Sequence, residues 1–104
     1  MKKTVLLICS GGASSGFLAQ NIRKSAKKRG LEIEVLARGE SELTDYIDRT
    51  SMVLIAPHLS YIKEDIAEQL SQTDIPYQVI DQMTYGALNG DKALDIIVKE
   101  LGLE

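Results

Sequence analysis

Thr4-Val5-Leu6-Leu7-Ile8-Cys9-Ser10-Gly11-Gly12-Ala13-Ser14-Ser15-Gly16-Phe17-Leu18 is the stretch that decides the fold. An apolar run from Thr4 to Ile8 ends at the chain's one cysteine, a loop of small residues follows, and Leu18, Ile22 and Ala26 then recur at helical spacing. A short, nearly continuous apolar run suits a strand covered on both faces, as in a parallel sheet. The segment therefore predicts strand, loop and helix, with the helix under way from about Ser15. Unpaired backbone N–H groups at such a junction form a ring that binds anions, and Cys9 stands at its mouth.

Working outward, Arg23, Lys24, Lys27 and Lys28 take the side of this helix opposite its apolar stripe, and Gly30 supplies a C-terminal stop. Cations in the last turns are favoured by the helix dipole, so the basic run Lys24, Lys27, Lys28, Arg29 reads as helix-end solvation rather than lipid contact. Three further apolar runs follow, Ile33 to Ala37, Met52 to Ala56 and Tyr77 to Ile80. Leu43 and Ile47 mark a brief helix between the second and third. Ile62, Ile66 and Leu70 mark a clearer one, with Glu64, Asp65 and Glu68 on its solvent side. Asp81 to Gly86 reads as a helical turn, and Leu94, Ile97, Val98 and Leu101 as a final helix entered through Asn89-Gly90-Asp91.

This alternation of strand and helix predicts an α/β fold, a four-stranded parallel sheet doubly wound with helices on both faces. In the flavodoxin-like, phosphatase-like order 2-1-3-4, the crevice opens at the carboxyl ends of strands 1 and 3. That arrangement sets the Cys9 loop beside Pro57-His58-Leu59-Ser60-Tyr61, with Asp81 to Tyr85 as the next wall.

Bulk composition narrows the function classes. The 104 residues suit a single domain over 1–104, with 44% hydrophobic and 26% charged residues. A net charge of -3 gives no electrostatic reason to expect nucleic acid. One cysteine forms no intrachain disulfide, which fits a reducing, cytoplasmic compartment and leaves the thiol available for chemistry. No stretch reaches the roughly 20 apolar residues of a membrane span, so direct membrane insertion is not expected. One histidine and one cysteine make a poor zinc set, and no cofactor is implied.

A sulfur nucleophile acts as its thiolate, which a helix N-terminus and converging amides favour. The same amides would hold a transferred phosphoryl group, with Gly11 and Gly12 allowing close backbone approach and Ser10, Ser14 and Ser15 adding hydroxyl donors. Other phosphate loops fit less well. Gly11 and Gly16 have the spacing of a nucleotide-binding P-loop, but Phe17 and Leu18 stand where Lys and Ser or Thr are needed. A low-molecular-weight cysteine phosphatase would carry an arginine where this chain has Ser15, and an Asp-Pro general acid that the sequence lacks. Without the bidentate guanidinium, such a loop can hold a phosphoryl group yet is poorly equipped to hydrolyse it.

Cys9-Ser10-Gly11-Gly12-Ala13-Ser14-Ser15 resembles the Cys-x-x-Gly-x-Ser-Thr/Ser loop of the IIB components of the bacterial phosphoenolpyruvate-dependent sugar phosphotransferase system, lactose/cellobiose type. The likeness continues through Ala56-Pro57-His58 with Tyr61, and through Ile80-Asp81 with Tyr85-Gly86. It implies a phosphocarrier. A phosphohistidine on the IIA protein would donate to Cys9, and phospho-Cys9 would pass the group to a β-linked disaccharide or glycoside held by the membrane-embedded IIC component, which recruits the carrier to the inner face of the membrane. On this resemblance Cys9 is the nucleophile and Ser10, Gly11, Gly12, Ala13, Ser14, Ser15 and Gly16 form the phosphate loop. Pro57, His58, Tyr61, Asp81 and Tyr85 are candidates for docking or support.

Two departures stand out. Gly16 occupies a place where relatives often carry a hydroxyl residue, and His58 one where they often carry glutamine. His58 reads as a loop residue with its ring partly in water, the sharper alternative being a phosphate contact or pH-sensitive modulator beside Cys9. Two rival functions remain open at this level: a phosphatase-like enzyme without the loop arginine, and a flavodoxin-like module that binds a small anion or flavin and uses Cys9 only for packing.

Overall fold

The computed structural model describes residues 2–9 and 13–103, with Ala13 and Ser14 described by backbone alone. Strand β1, Lys3–Ile8, sends alternate side chains to opposite faces: Val5 and Leu7 enter one core, Leu6 and Ile8 the other, and all four are fully buried. Burial on both faces is why this strand reads as a continuous apolar run.

Helix α1, Ala13–Lys28, covers the Val5 and Leu7 face through Leu18, Ile22 and Ala26. It ends in a Schellman motif, in which Gly30 N–H donates to the Lys27 carbonyl at 3.1 Å and Leu31 N–H to the Ala26 carbonyl at 2.9 Å. Gly30 adopts φ 72°, the left-handed conformation this stop requires. Strand β2, Ile33–Arg38, then pairs in parallel with β1, Lys3 opposite Ile33 and Ile8 opposite Arg38.

The expected brief helix is α2, Leu43–Tyr46, between 3-10 turns at Glu40–Glu42 and Ile47–Arg49. Strand β3, Met52–Ile55, pairs with the other edge of β1, and a 3-10 segment, Pro57–Ile62, leads into α3, Lys63–Gln69. Strand β4, Tyr77–Val79, pairs with β3, giving the order β2-β1-β3-β4. Helix α4, Gln82–Gly86, and helix α5, Gly90–Leu101, complete the chain.

Helices α1 and α5 share one face of the sheet, where Ala93, Leu94, Ile97 and Val98 join Leu18 and Ile22. Helices α2 and α3 cover the other through Leu43, Ile66 and the nearby Leu59, Ile62 and Leu70. Each large aliphatic side chain buried in these layers contributes about 1.5–3 kcal/mol.

Observed strands differ from the apolar runs by a residue at their ends. Cys9, Ala56 and Ile80 lie just beyond their strands, yet each N–H still bonds a neighbouring strand: to Arg38 at 2.9 Å, Ile8 at 3.0 Å and Ile55 at 2.9 Å. Their apolar character reflects burial, which continues one residue past regular pairing. Arg38 belongs to β2 although it is charged, because pairing with Ile8 outlasts the apolar run.

Gly16 lies in the first turn of α1, with nothing within 4 Å of where a Cβ would stand. Gly16→Ala should therefore raise stability by about 0.5–1 kcal/mol through reduced backbone entropy of the unfolded chain. A urea midpoint at or below the wild-type value would refute this.

Candidate functional site

The carboxyl end of β1 is clamped from both sides. Cys9 N–H donates to the Arg38 carbonyl of β2, while Ala56 N–H, just past β3, donates to the Ile8 carbonyl. These bonds hold the backbone around the thiol at the centre of the sheet's edge. Cys9 Sγ donates to the same Arg38 carbonyl at 3.6 Å, and the residue is only 4% exposed.

Buried though it is, Cys9 forms part of the wall of two open recesses. One, of about 300 Å³, is lined by Ser15 and Gly16 from α1 and by Ala37, Arg38, Gly39 and Glu42. The other, of about 560 Å³, lies between Gly39–Glu42 and the Leu59, Tyr61 and Ile62 side of the 3-10 segment. A thiol so placed can be reached by a group entering either recess.

The remaining candidate residues take distinct places. Ser15 is buried, and its hydroxyl shares a hydrogen bond with that of Tyr85, bringing α1 and α4 together beside Cys9. Burial raises the Tyr85 pKa above the ordinary phenol value, and the nearby Cys9 adds to the rise. His58 is exposed and meets the Tyr85 ring edge-on, with centroids 5.5 Å apart. Pro57 opens the 3-10 segment, whose N-terminal position suits a residue without an N–H.

Tyr61 is 77% exposed at the rim of the larger recess, and Phe17 and Met83 are the other large exposed apolar side chains among the described residues. Gly16 is exposed on the smaller recess. Ser10, Gly11 and Gly12, together with the side chains of Ala13 and Ser14, lie outside the described residues.

Asp81 supports the site through a helix. Its carboxylate accepts Thr84 N–H at 2.9 Å and Thr84 Oγ1–H at 2.7 Å, capping α4 and so fixing the start of the helix that carries Tyr85. These two bonds hold its pKa below the ordinary carboxylate value of 3.8. A depressed folded pKa makes this stabilisation fully present above 3.8 and lost as pH falls through the lower folded value. Asp81→Ala should accordingly be less stable than wild type at neutral pH, with the gap closing under acid conditions. Equal urea midpoints at neutral pH would remove the capping role.

Sequence reasoning missed the contribution of the β2 end. Arg38 Nε donates to the Tyr46 hydroxyl at 2.9 Å, Nη1 donates to the Ala37 carbonyl at 2.8 Å, and Gly39 and Glu42 line both recesses, with Glu40 and Ser41 on the larger one. The usable signal was the strand order itself: with β2 beside β1, whatever ends the second run must lie next to Cys9.

Comparison with known proteins bears on the whole arrangement. Residues 4–96 match the family model described as the phosphotransferase system lactose/cellobiose-specific IIB subunit. The chain is 33% identical over 93 residues to the oligo-beta-mannoside-specific EIIB component of Bacillus subtilis (strain 168), covering 89% of this chain and 90% of that protein. It is 32% identical over 99 residues to the lactose-specific EIICB component of Lacticaseibacillus casei, covering 93% of this chain but only 17% of that protein. Among solved structures, the cellobiose-specific IIB component of Borrelia burgdorferi superposes with a TM-score of 0.81 at 30% identity, covering 98% of this chain and 94% of that one. The lactose-specific IIB domain of Streptococcus pneumoniae shares the fold, with a TM-score of 0.85 at 19% identity and coverage of 95% and 97%.

Proposed function

The chain belongs to the lactose/cellobiose-specific IIB subunits of the sugar phosphotransferase system, and from that premise we propose that Cys9 is its phosphoryl-carrying residue. The observation that carries the reading is the position of the thiol, at the carboxyl end of the central strand and on the shared wall of two open recesses.

The donor in this reading is a phosphohistidine on a IIA protein. The Cys9 thiol first gives up its proton to solvent, and the resulting thiolate attacks phosphorus in line. An S–P bond forms as the N–P bond breaks, returning the electron pair to the imidazole nitrogen. In the second transfer a sugar hydroxyl oxygen attacks phosphorus, its proton passes to solvent or a base, and the S–P pair leaves as the Cys9 thiolate. Both steps depend on positioning and charge stabilisation more than on acid-base work by the carrier. The phosphate loop from Ser10 to Gly16, whose last four residues form the first turn of α1, would supply N–H donors, with the buried Ser15 hydroxyl beside them.

The acceptor sugar would sit in a membrane IIC component. The Lacticaseibacillus casei relative is named an EIICB component, which supports a IIC partner for this chain. No helix among the described residues is long and apolar enough to cross a membrane, so in this reading the sugar is carried by the partner and the present chain docks from the cytoplasmic side. The exposed Phe17, Tyr61 and Met83 offer apolar contact area for such docking.

Intact mass tests the reading. After incubation with phosphoenolpyruvate, the general phosphotransfer proteins and a IIA partner, the chain should gain one phosphoryl group confined to Cys9. No increment, or one located on another residue, would overturn it. Cys9-dependent hydrolysis of p-nitrophenyl phosphate would instead favour a phosphatase.

A further inference from the structure

Resting on the phosphocysteine reading, we propose that Arg38 is the positive charge that stabilises the phosphoryl group on Cys9. In phosphatase loops of similar strand-loop-helix form, the cation lies six residues after the nucleophile, where this chain carries Ser15. Here it comes from the end of the neighbouring strand.

Arg38 is paired with Ile8, so the sheet register fixes it beside the residue that precedes the nucleophile. Its carbonyl accepts both the N–H and the S–H of Cys9, and both residues line the recess of about 300 Å³. The side chain is held from several directions. Nε donates to Tyr46 Oη, Nη1 donates to the Ala37 carbonyl, and the guanidinium carbon lies 5.2 Å from the Tyr46 ring centroid. Arg49 also lies over that ring, at 4.6 Å, so Tyr46 is itself held in place. Two of the five guanidinium N–H donors are taken by these contacts among the described residues.

Charge balance gives this cation a task. Glu42 lines both recesses and Glu40 the larger one, so a phosphoryl dianion on Cys9 would enter a region already negative. Arg38 interacts electrostatically with both Glu42 and Cys9, and its hydrogen bond to Tyr46 holds its pKa above the ordinary value despite partial burial. A guanidinium remains charged at any working pH, so the compensation is permanent rather than pH-gated. It favours the phosphorylated state of the carrier and offsets the repulsion of the two carboxylates.

The experiment loads wild type, Arg38→Gln, Arg38→Lys and Tyr46→Phe from phosphoenolpyruvate through a phosphohistidine IIA donor, then titrates phospho-Cys9 by phosphorus NMR. Removing a nearby cation should raise the second phosphoryl pKa of Arg38→Gln by roughly 1 unit and lower the equilibrium constant for transfer from the donor to Cys9 about tenfold. Arg38→Lys should recover most of both. Tyr46→Phe, which keeps the charge but loses its hydroxyl anchor, should fall between. A merely structural role would lower the melting temperature without moving the titration curve.

Wild-type labelling at Cys9 with an unshifted Arg38→Gln curve would overturn the role of Arg38 and leave the carrier reading standing. Failure of wild type to label at Cys9 would overturn the reading beneath it. If Arg38→Gln does not fold, an unshifted curve in a folded Tyr46→Phe, which removes the hydroxyl that anchors the cation, overturns the proposal.

Discussion

Cys9→Ser should fold and accept no phosphoryl group. The substitution exchanges one atom at a position 4% exposed, and a serine hydroxyl can donate to the Arg38 carbonyl that the thiol now faces. Burying a hydroxyl with that partner costs about 1 kcal/mol, a small fraction of the stability of a typical domain. Reactivity changes far more. A thiol reaches its anionic form within the range that protein surroundings can tune, whereas a serine hydroxyl needs a strong adjacent base. The described wall of the two recesses holds Glu40 and Glu42 and no histidine, and no side chain there is hydrogen-bonded to Cys9 as a base would be.

Intact mass after incubation with the donor system should therefore show one phosphoryl increment for wild type and none for Cys9→Ser. Melting temperature and circular dichroism should stay near wild type. Transfer to the serine variant would mean that the loop, rather than the sulfur, makes the site a phosphoryl acceptor.

Gly90→Ala should produce the largest loss of stability. Gly90 is buried at the start of α5, and a Cβ there would lie 2.4 Å from the Asn21 carbonyl carbon and 2.5 Å from its oxygen. Backbone atoms cannot rotate away as a flexible side chain can, so α1 and α5 would have to separate. Asn21 is held on the other side as well, its Nδ2 donating to the Leu88 carbonyl at 2.9 Å. Leu88 carries φ 52°, a left-handed conformation that few branched residues adopt, so the turn into α5 has little freedom to shift.

Separation would loosen the contact of Leu94, Ile97 and Val98 with Leu18 and Ile22. The expected cost is about 3 kcal/mol or more, the upper part of the range for overpacking. For a chain of this size that corresponds to a drop of roughly 12–24 °C in melting temperature. A wild-type melting temperature for Gly90→Ala would disprove the close approach. The same Gly-to-Ala change is expected to stabilise at Gly16, where the space is open, so neighbours determine the sign.

These two residues differ in how far the sequence reveals them. Cys9 was legible because its signal is local: apolar run, thiol and small-residue loop lie within a few positions of one another. Leu18, Ile22 and Ala26 were legible for the same reason, since helical periodicity records burial directly. Four apolar runs with helices between them predict a parallel, doubly wound sheet, and the flavodoxin-like order 2-1-3-4 expected for such a sheet is the one observed.

Arg38 was not legible as part of the site, since a charged residue at the end of an apolar run resembles an ordinary strand terminus. Only its pairing with Ile8, which sets its carbonyl against the N–H and S–H of Cys9, brings its backbone beside the thiol. Gly90 likewise looked like part of a helix entry, and nothing near it in sequence announces Asn21. Asp81 was read as a possible wall of the crevice, while the structure commits its carboxylate to Thr84.

By itself the sequence determined the alternation of strands and helices, the faces they bury and the position of the thiol at a strand end, because each is written in spacings of a few residues. Only the tertiary structure decided which backbone carbonyl faces the thiol, which hydroxyl meets Tyr85 and where two helices touch backbone to backbone. Those facts depend on strand register and on contacts between residues far apart in the chain, and local periodicity carries no record of either.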